Sequence, residues 1–227
     1  MINNQKIVSL IPLRGGSKSI PYKNIKEIAG KPLCYWALKA ATGSKYIDEV
    51  WVSTDDKKIR DITLSFGLGV KVIDRPAELA EDTSFTESVM LHFAEHVGFD
   101  ILNLIQATSP FTTSSDLDNA LEQFMRDSND SLLTGVLYKK FYWTPDGKPL
   151  NYDYLNRPRR QEFGGVINEN GAFYLTKKEI LKKNKNRLGG KIGIFLMPEE
   201  KAIDIDELAD WPLAEKYLLE QLKVNEK

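Results

Sequence analysis

Residues 7–18 read IVSLIPLRGGSK, and this stretch decides the fold. Ile7 to Pro12 is a short unbroken apolar run closed by a turn, as in a strand buried on both faces of a parallel sheet. The adjacent glycines Gly15 and Gly16 let backbone amides approach an anion closely and adopt positive φ at no steric cost. Arg14, Lys18 and Lys23 place three cations within ten residues, with Ser17 among them and Asn24 next in line. That combination suits a triphosphate. A tight Gly-Gly turn with solvated cations is the plainer alternative. The spacing is neither that of a Walker A loop nor the G-x-G-x-x-G dinucleotide fingerprint.

Outward from this loop the pattern repeats. Leu33 to Thr42 has helical spacing without a breaker. Glu49 to Ser53 is a second apolar run, ending at Thr54-Asp55-Asp56, where Asp56 is placed to cap a helix over Lys57 to Phe66. Val70 to Ile73 reads as a third strand, Thr83 to Val97 as a helix and Asp100 to Gln106 as a fourth strand. A helix over Asp116 to Met125 and a strand over Ser131 to Tyr138 follow. Regular alternation of strand and helix implies an α/β fold with a doubly wound, mostly parallel sheet. Ligands of such sheets bind beyond the carboxyl ends of the strands, near the switch in strand order. The loops at Arg14, Asp55, Arg75 and Gln106 are therefore expected to share one mouth.

Lys139 to Gly165 breaks the pattern. It carries Tyr142, Trp143, Tyr152, Tyr154 and Phe163 with Pro145, Pro149 and Pro158 between them. Such a segment is too aromatic for a linker and too irregular for the sheet, so a hairpin arm turning at Asp146-Gly147 is expected. Exposed aromatics on an arm mark an interface. Beyond it, Gly171 to Leu175 and Gly193 to Met197 read as strands, with helices near Lys177 to Asn186 and Trp211 to Leu222. The whole span 1–227 reads as a single domain from which 139–165 protrudes. Between the last two elements lies Ile203-Asp204-Ile205-Asp206. If this is a strand end, both carboxylates face one side, as Mg²⁺ opposite phosphates requires. An edge strand with a solvated face, and Asp206 as a helix cap, fits the spacing equally well.

The 227 residues are 42% hydrophobic and 28% charged, with a formal net charge of −1. That balance gives no basis for nucleic acid or an anionic membrane as partner. Cys34 is the single cysteine, and neither His92 nor His96 is near it in sequence, so a buried structural thiol is expected. No apolar run approaches ~20 residues, and Met1 to Lys6 lacks the apolar stretch of a signal peptide. A soluble, cytoplasmic protein is expected.

The stretch IPLRGGSKSIPYKNIKEIAGKPL resembles the signature of the CMP-sugar synthetases, and within them the acylneuraminate cytidylyltransferases. The likeness recurs in order at VSTDD (52–56), RPAELAEDTSFT (75–86), QATSPF (106–111), RPRRQEF (157–163), NGAFY (170–174) and IDIDELADWPLAE (203–215). The arginine-rich and DWPLAE stretches are most similar to the animal-type and related bacterial enzymes. The resemblance implies a Rossmann-like nucleotidyltransferase fold and a reaction in which CTP and a nonulosonic acid, such as an N-acylneuraminate or its deaminated counterpart Kdn, give a CMP-sugar and pyrophosphate. An eight-carbon 3-deoxy-octulosonate as acceptor, or an inactive binding relative, are the alternatives.

By the same resemblance, Arg14, Gly15, Gly16, Ser17, Lys18, Lys23, Asn24, Arg75, Ser84 and Thr86 hold the nucleotide. Gln106, Thr108, Ser109, Arg159, Arg160, Gln161 and Asn170 face the sugar. Asp204 and Asp206 hold Mg²⁺ (or Mn²⁺), and Arg159, Lys18 and Asp206 act in catalysis. Asp82 could cap the following helix, and capping accounts for Thr108 and Ser109 as well as sugar contact does. The resemblance further implies a homodimer whose arms exchange to complete each other's sites. Ser19 where the family has glycine, Phe111-Thr112 for Leu-Arg, and Gly164-Gly165 for proline are departures that bear on the sugar substituent.

Overall fold

The computed structural model describes residues 4–225, so residues 1–3 and 226–227 of the expected single-domain span lie outside the described residues. In chain order the elements are β1 (Ile7–Pro12), the two-residue strands β2 (Glu27–Ile28) and β3 (Lys31–Pro32), α1 (Leu33–Thr42), β4 (Glu49–Thr54), α2 (Lys57–Ser65) and β5 (Lys71–Asp74). There follow α3 (Thr86–His96), β6 (Ile101–Ile105), α4 (Ser114–Arg126) and β7 (Ser131–Tyr138). The last are β8 (Val166–Lys177), α5 (Lys178–Asn184), β9 (Ile192–Leu196) and α6 (Trp211–Asn225).

Seven strands form one sheet in the order β5-β4-β1-β6-β8-β7-β9. β1 is fully buried from Ile7 to Ile11 because it has a parallel neighbour on each side, β4 in the register Val8↔Glu49 and β6 in the register Ile7↔Ile101. Strand order reverses between β1 and β6, which opens a crevice at their carboxyl ends. β8 is the exception to the parallel rule, running antiparallel to both β6 and β7. It is also longer than GAFYL suggests, because Val166 to Glu169 pair with Gly135 to Tyr138 beyond a register shift. Val166 and Ile167 are followed by the polar, exposed Asn168 and Glu169, and Ile167 itself is exposed, so no continuous apolar run announces them.

Residues alternating along the strands divide the core in two. Ile11, Val52, Ile101 and Phe173 join α1, α2 and α4 on one face, where Leu38, Ile59 and Phe124 are buried. Val8, Leu10, Leu102 and Tyr174 join α3 and α5 on the other, through Met90, Phe93 and Leu181. Each such side chain contributes roughly 1.5–3 kcal/mol by leaving water. A third cluster fastens α6 over the loops: Trp211, Ala214 and Leu218 meet Ile20, Ile28, Trp36 and Ile205. Cys34 has no exposed surface, and burial pushes its thiol up to about 12. Alkylation by iodoacetamide at pH 8 should therefore follow global unfolding; rapid labelling of the native protein would contradict the packing of α1.

The segment 139–165 leaves β7 and returns to β8. The turn at Asp146-Gly147 forms, with Thr144 N–H donating to the Lys148 carbonyl at 2.8 Å, but only one bridge, Trp143 to Pro149, extends it into a hairpin. The arm is instead organised by rings: Phe141 lies 4.3 Å from Tyr152 and 4.8 Å from Phe163, with the Arg157 guanidinium over Phe141. Trp143 Nε1–H donates to the Tyr152 hydroxyl at 3.0 Å. Gly165 closes the excursion at φ +88, where a Cβ would stand 2.8 Å from the Tyr138 carbonyl oxygen. Only glycine fits there.

Candidate active site

A cleft of about 440 Å³ lies over the carboxyl ends of β1, β5 and β6, within the ~300–1,000 Å³ range of small-molecule sites. Arg14, Ser17, Lys18, Lys23 and Asn24 enter from the loop after β1, and Arg75, Ser84 and Thr86 from the segment after β5. Gln106 and Thr108 come from the loop after β6, and Asp206 from the segment before α6. Asp55, after β4, stands beside the cleft and is joined to it through Gly15, whose N–H donates to Asp55 Oδ1 at 2.9 Å.

The loop after β1 is held by polar contacts rather than by glycine torsions. Neither Gly15 nor Gly16 is at positive φ, which corrects that expectation. Gly15 is required by proximity, since a Cβ would lie 2.8 Å from Asp56 Cβ. Asp56 cannot retreat, because it caps α2 by accepting from Ile59 N–H at 2.9 Å. Asn24 is buried and donates its amide to the Arg14 carbonyl at 3.0 Å. Arg75 is also buried, with Nη2 donating to the Ser53 carbonyl at 2.7 Å and Nε to Ser53 Oγ at 3.2 Å. Burial lowers its pKa to about 10, with Asp55 opposing the shift and Arg14 adding to it, so Arg75 stays a cation at neutral pH.

Asp82 is not a helix cap. Phe85 occupies the N-cap of α3, which starts at Thr86 rather than Thr83. Asp82 pairs instead with Arg14 Nη1 and Lys18 Nζ, each at 2.9 Å. Ser84 Oγ–H is turned inward to the Glu78 carbonyl at 2.8 Å. Lys23 reaches away from the other cations, donating to the Ile205 carbonyl at 2.8 Å with Asp206 Oδ1 at 3.9 Å.

The segment Ile203 to Asp206 is not a strand, a second correction. It is pinned by Ile205 N–H to the Thr108 carbonyl at 3.0 Å and by Ser19 Oγ–H to the Asp206 carbonyl at 2.5 Å. The departure at Ser19 thus has a structural use. The alternation survives without a ladder, since Ile205 is buried while Asp204 and Asp206 stay on the outer side. Asp206 lines the cleft with its carboxylate 77% exposed. Glu207 and Asp210, not Asp206, cap the short helical turn that follows. Asp204 does not line the cleft; desolvation by the protein packed around its carboxyl raises it above the ordinary range, a hydrogen bond from Thr108 opposes this, and nearby Asp206 adds to it. Among the described residues no group of three or more His, Cys, Asp or Glu side chains converges as a metal cage. Two carboxylates with one open to the cleft do fit a hard cation that takes its remaining ligands from substrate phosphates and water.

Other expected sugar contacts lie elsewhere. Ser109 is buried below the loop, and the cap of α4 is Thr113, which shares a capping box with Asp116. Asn170 is buried outside the cleft, where its amide donates to the Lys201 carbonyl at 3.0 Å and to Met197 S at 3.4 Å. Arg159, Arg160 and Gln161 sit exposed on the arm, and none lines this chain's cleft.

A family model described as cytidylyltransferase matches residues 8–227. N-acylneuraminate cytidylyltransferase A of Danio rerio is 38% identical over 224 residues, 95% of this chain and 51% of that protein. The chain thus spans about half the length of this curated relative. Post-translational flagellin modification protein B of Campylobacter coli is 31% identical over 227 residues, covering 95% of this chain and 96% of the relative. Among solved structures, CMP:2-keto-3-deoxy-manno-octonic acid synthetase complexed with CTP superposes with a TM-score of 0.73 at 19% identity, covering 95% and 99% of the two chains.

Proposed function

We propose that this chain, which belongs to the cytidylyltransferase family, couples CTP to the anomeric hydroxyl of a nine-carbon 2-keto-3-deoxy sugar acid. The sugar hydroxyl gives up its proton to solvent as its oxygen forms a bond to the α-phosphorus, the bond from that phosphorus to the β-phosphate oxygen breaks, and pyrophosphate leaves. The observation that carries this reading is the convergence of Arg14, Lys18 and Arg75 with Gln106 and Asp206 on one cleft at the β1/β6 switch point. Cations on one wall suit the phosphates, and the carboxylate at Asp206 suits a divalent metal between phosphate and protein. Mg²⁺ or Mn²⁺ held by Asp206, with Asp204 behind it, would neutralise charge on the reacting phosphates. The protein's own part is to bind, align and exclude water. The Danio rerio relative's name supports a nonulosonate as the acceptor.

Pyrophosphate release that requires CTP, a divalent metal and a nonulosonate together tests this reading. Release without the sugar, or none with any nonulosonate, would count against it. No helix among the described residues is long and apolar enough to cross a membrane. The single buried thiol of Cys34 supports a reducing, cytoplasmic setting.

The sugar's carboxylate still needs a partner, and we assign it to Arg159, Arg160 and Gln161 of a second copy. Bidentate guanidinium pairing suits a carboxylate better than an ammonium does. Two features of the fold support a homodimer with exchanged arms. Trp143, Leu150, Tyr154 and Leu155 of the arm are exposed. Ile192, Ile194 and Leu196 on edge strand β9 also point to solvent, as do the paired Leu137 and Ile167. Mixing two inactive variants tests the exchange. Asp206→Asn and Arg159→Ala chains, unfolded and refolded together, should regain about a quarter of wild-type turnover, since half the dimers are mixed and each then holds one intact site. No recovery would place the arm on its own chain's site.

A further inference from the structure

We propose that Asp82 is an internal stand-in for phosphate, which the nucleotide must displace and which sets which anions the cleft admits. This rests on reading the cleft as the triphosphate site. The two carboxylate oxygens are divided between the two cations: Oδ1 lies 2.9 Å from Arg14 Nη1 and Oδ2 lies 2.9 Å from Lys18 Nζ. Arg14 Nη1 also donates to the Glu81 carbonyl at 3.3 Å. The groups that would grip phosphate therefore fasten the strap from Ala77 to Ser84, which lines the cleft through Leu79, Glu81, Asp82 and Ser84.

Asp82 has no other structural task. It caps no helix, and its only ion pairs among the described residues are with these two cations. Lys18 first, and Arg14 with it, hold its carboxyl below the ordinary carboxylate range, so it is charged whenever the cleft is at neutral pH. Its side chain is 41% exposed and Lys18's is 75% exposed, so the pairs are partly hydrated and break at small cost.

The exchange is decided by charge. A carboxylate offers one negative charge and two acceptor oxygens, whereas a triphosphate offers several charges and many acceptors to the same two cations. The triphosphate wins the exchange. A monoanion, including the carboxylate of a sugar acid, gains little over Asp82 and is kept from the phosphate end. This is discrimination by a competing internal group rather than by a shaped wall.

Calorimetric titration of inorganic tripolyphosphate and of inorganic phosphate into wild type, Asp82→Asn and Asp82→Glu tests the proposal. Asp82→Asn, which removes the competitor and its repulsion, should bind tripolyphosphate about five- to tenfold tighter, the yield of losing up to two exposed ion pairs. Its preference for tripolyphosphate over phosphate should narrow. Asp82→Glu keeps the charge and should stay near wild type, which also controls for damage to the strap. If Asp82 merely clasps the strap, Asp82→Asn loses affinity instead. Equal or weaker binding by Asp82→Asn, including no binding by any of the three proteins, overturns the proposal. CTP turnover on the same samples separates the two levels: tighter tripolyphosphate binding without turnover leaves Asp82's role standing and removes the nucleotidyltransferase reading.

Discussion

Asp206→Asn is expected to slow turnover about 10³-fold while CTP affinity changes only a few-fold, the scale of losing a preorganised charge at the reacting phosphorus. The split follows from position. Asp206 reaches into the cleft with an exposed carboxylate, and the nearest cation, Lys23, stands 3.9 Å away and already donates to the Ile205 carbonyl. The segment is anchored through backbone groups, by Ser19 to the Asp206 carbonyl and by Ile205 to Thr108. Losing the carboxylate should therefore leave the fold and melting temperature unchanged. Steady-state kinetics should show the loss in kcat, with KM for CTP nearly constant. Near-normal kcat would remove Asp206 from the chemistry.

Arg14→Ala should act at the other end of the reaction. Charge-assisted hydrogen bonds are each worth ~1.5–3 kcal/mol, so losing the guanidinium should cost about 10²-fold in kcat/KM, mostly through KM for CTP. Arg14 follows directly on β1 and projects into the cleft, where its partners are Asp82 and the Glu81 carbonyl. Arg75 cannot replace it, because two of its guanidinium nitrogens are committed to Ser53. A KM for CTP within twofold of wild type would show that the phosphates bind elsewhere.

Much of this was legible in the sequence because it is local. The apolar run at Ile7 to Pro12, the glycine pair and the repeated strand-loop-helix units placed the mouth where the cleft lies, at the ends of β1, β5 and β6. The Asp56 cap was readable from its position ahead of Lys57. What escaped was set by contacts between distant segments. The pairing of Asp82 with Arg14 and Lys18 leaves no periodic sign, so a helix cap was the natural alternative. The tie from Lys23 to Ile205 joins positions 182 residues apart and redirects a lysine expected at phosphate. Asn170 sits in a motif beside Gly171, yet its amide is spent on Lys201. The two-residue spacing of Asp204 and Asp206 was sound while the strand was not, because Ile205 is buried by α6 and the loops rather than by a sheet neighbour.

The Asp206 and Arg14 variants test the two ends of the cleft; the central claim is that they act on one nucleotide and one class of sugar acid. The direct measurement is the mass of the nucleotide product when CTP, Mg²⁺ and the protein are incubated with a mixture of nine-carbon and eight-carbon 2-keto-3-deoxy acids. The predicted result is CMP joined to the nine-carbon acid, formed in step with pyrophosphate. CMP joined to the eight-carbon acid instead, or pyrophosphate with free CMP and no conjugate, would contradict it.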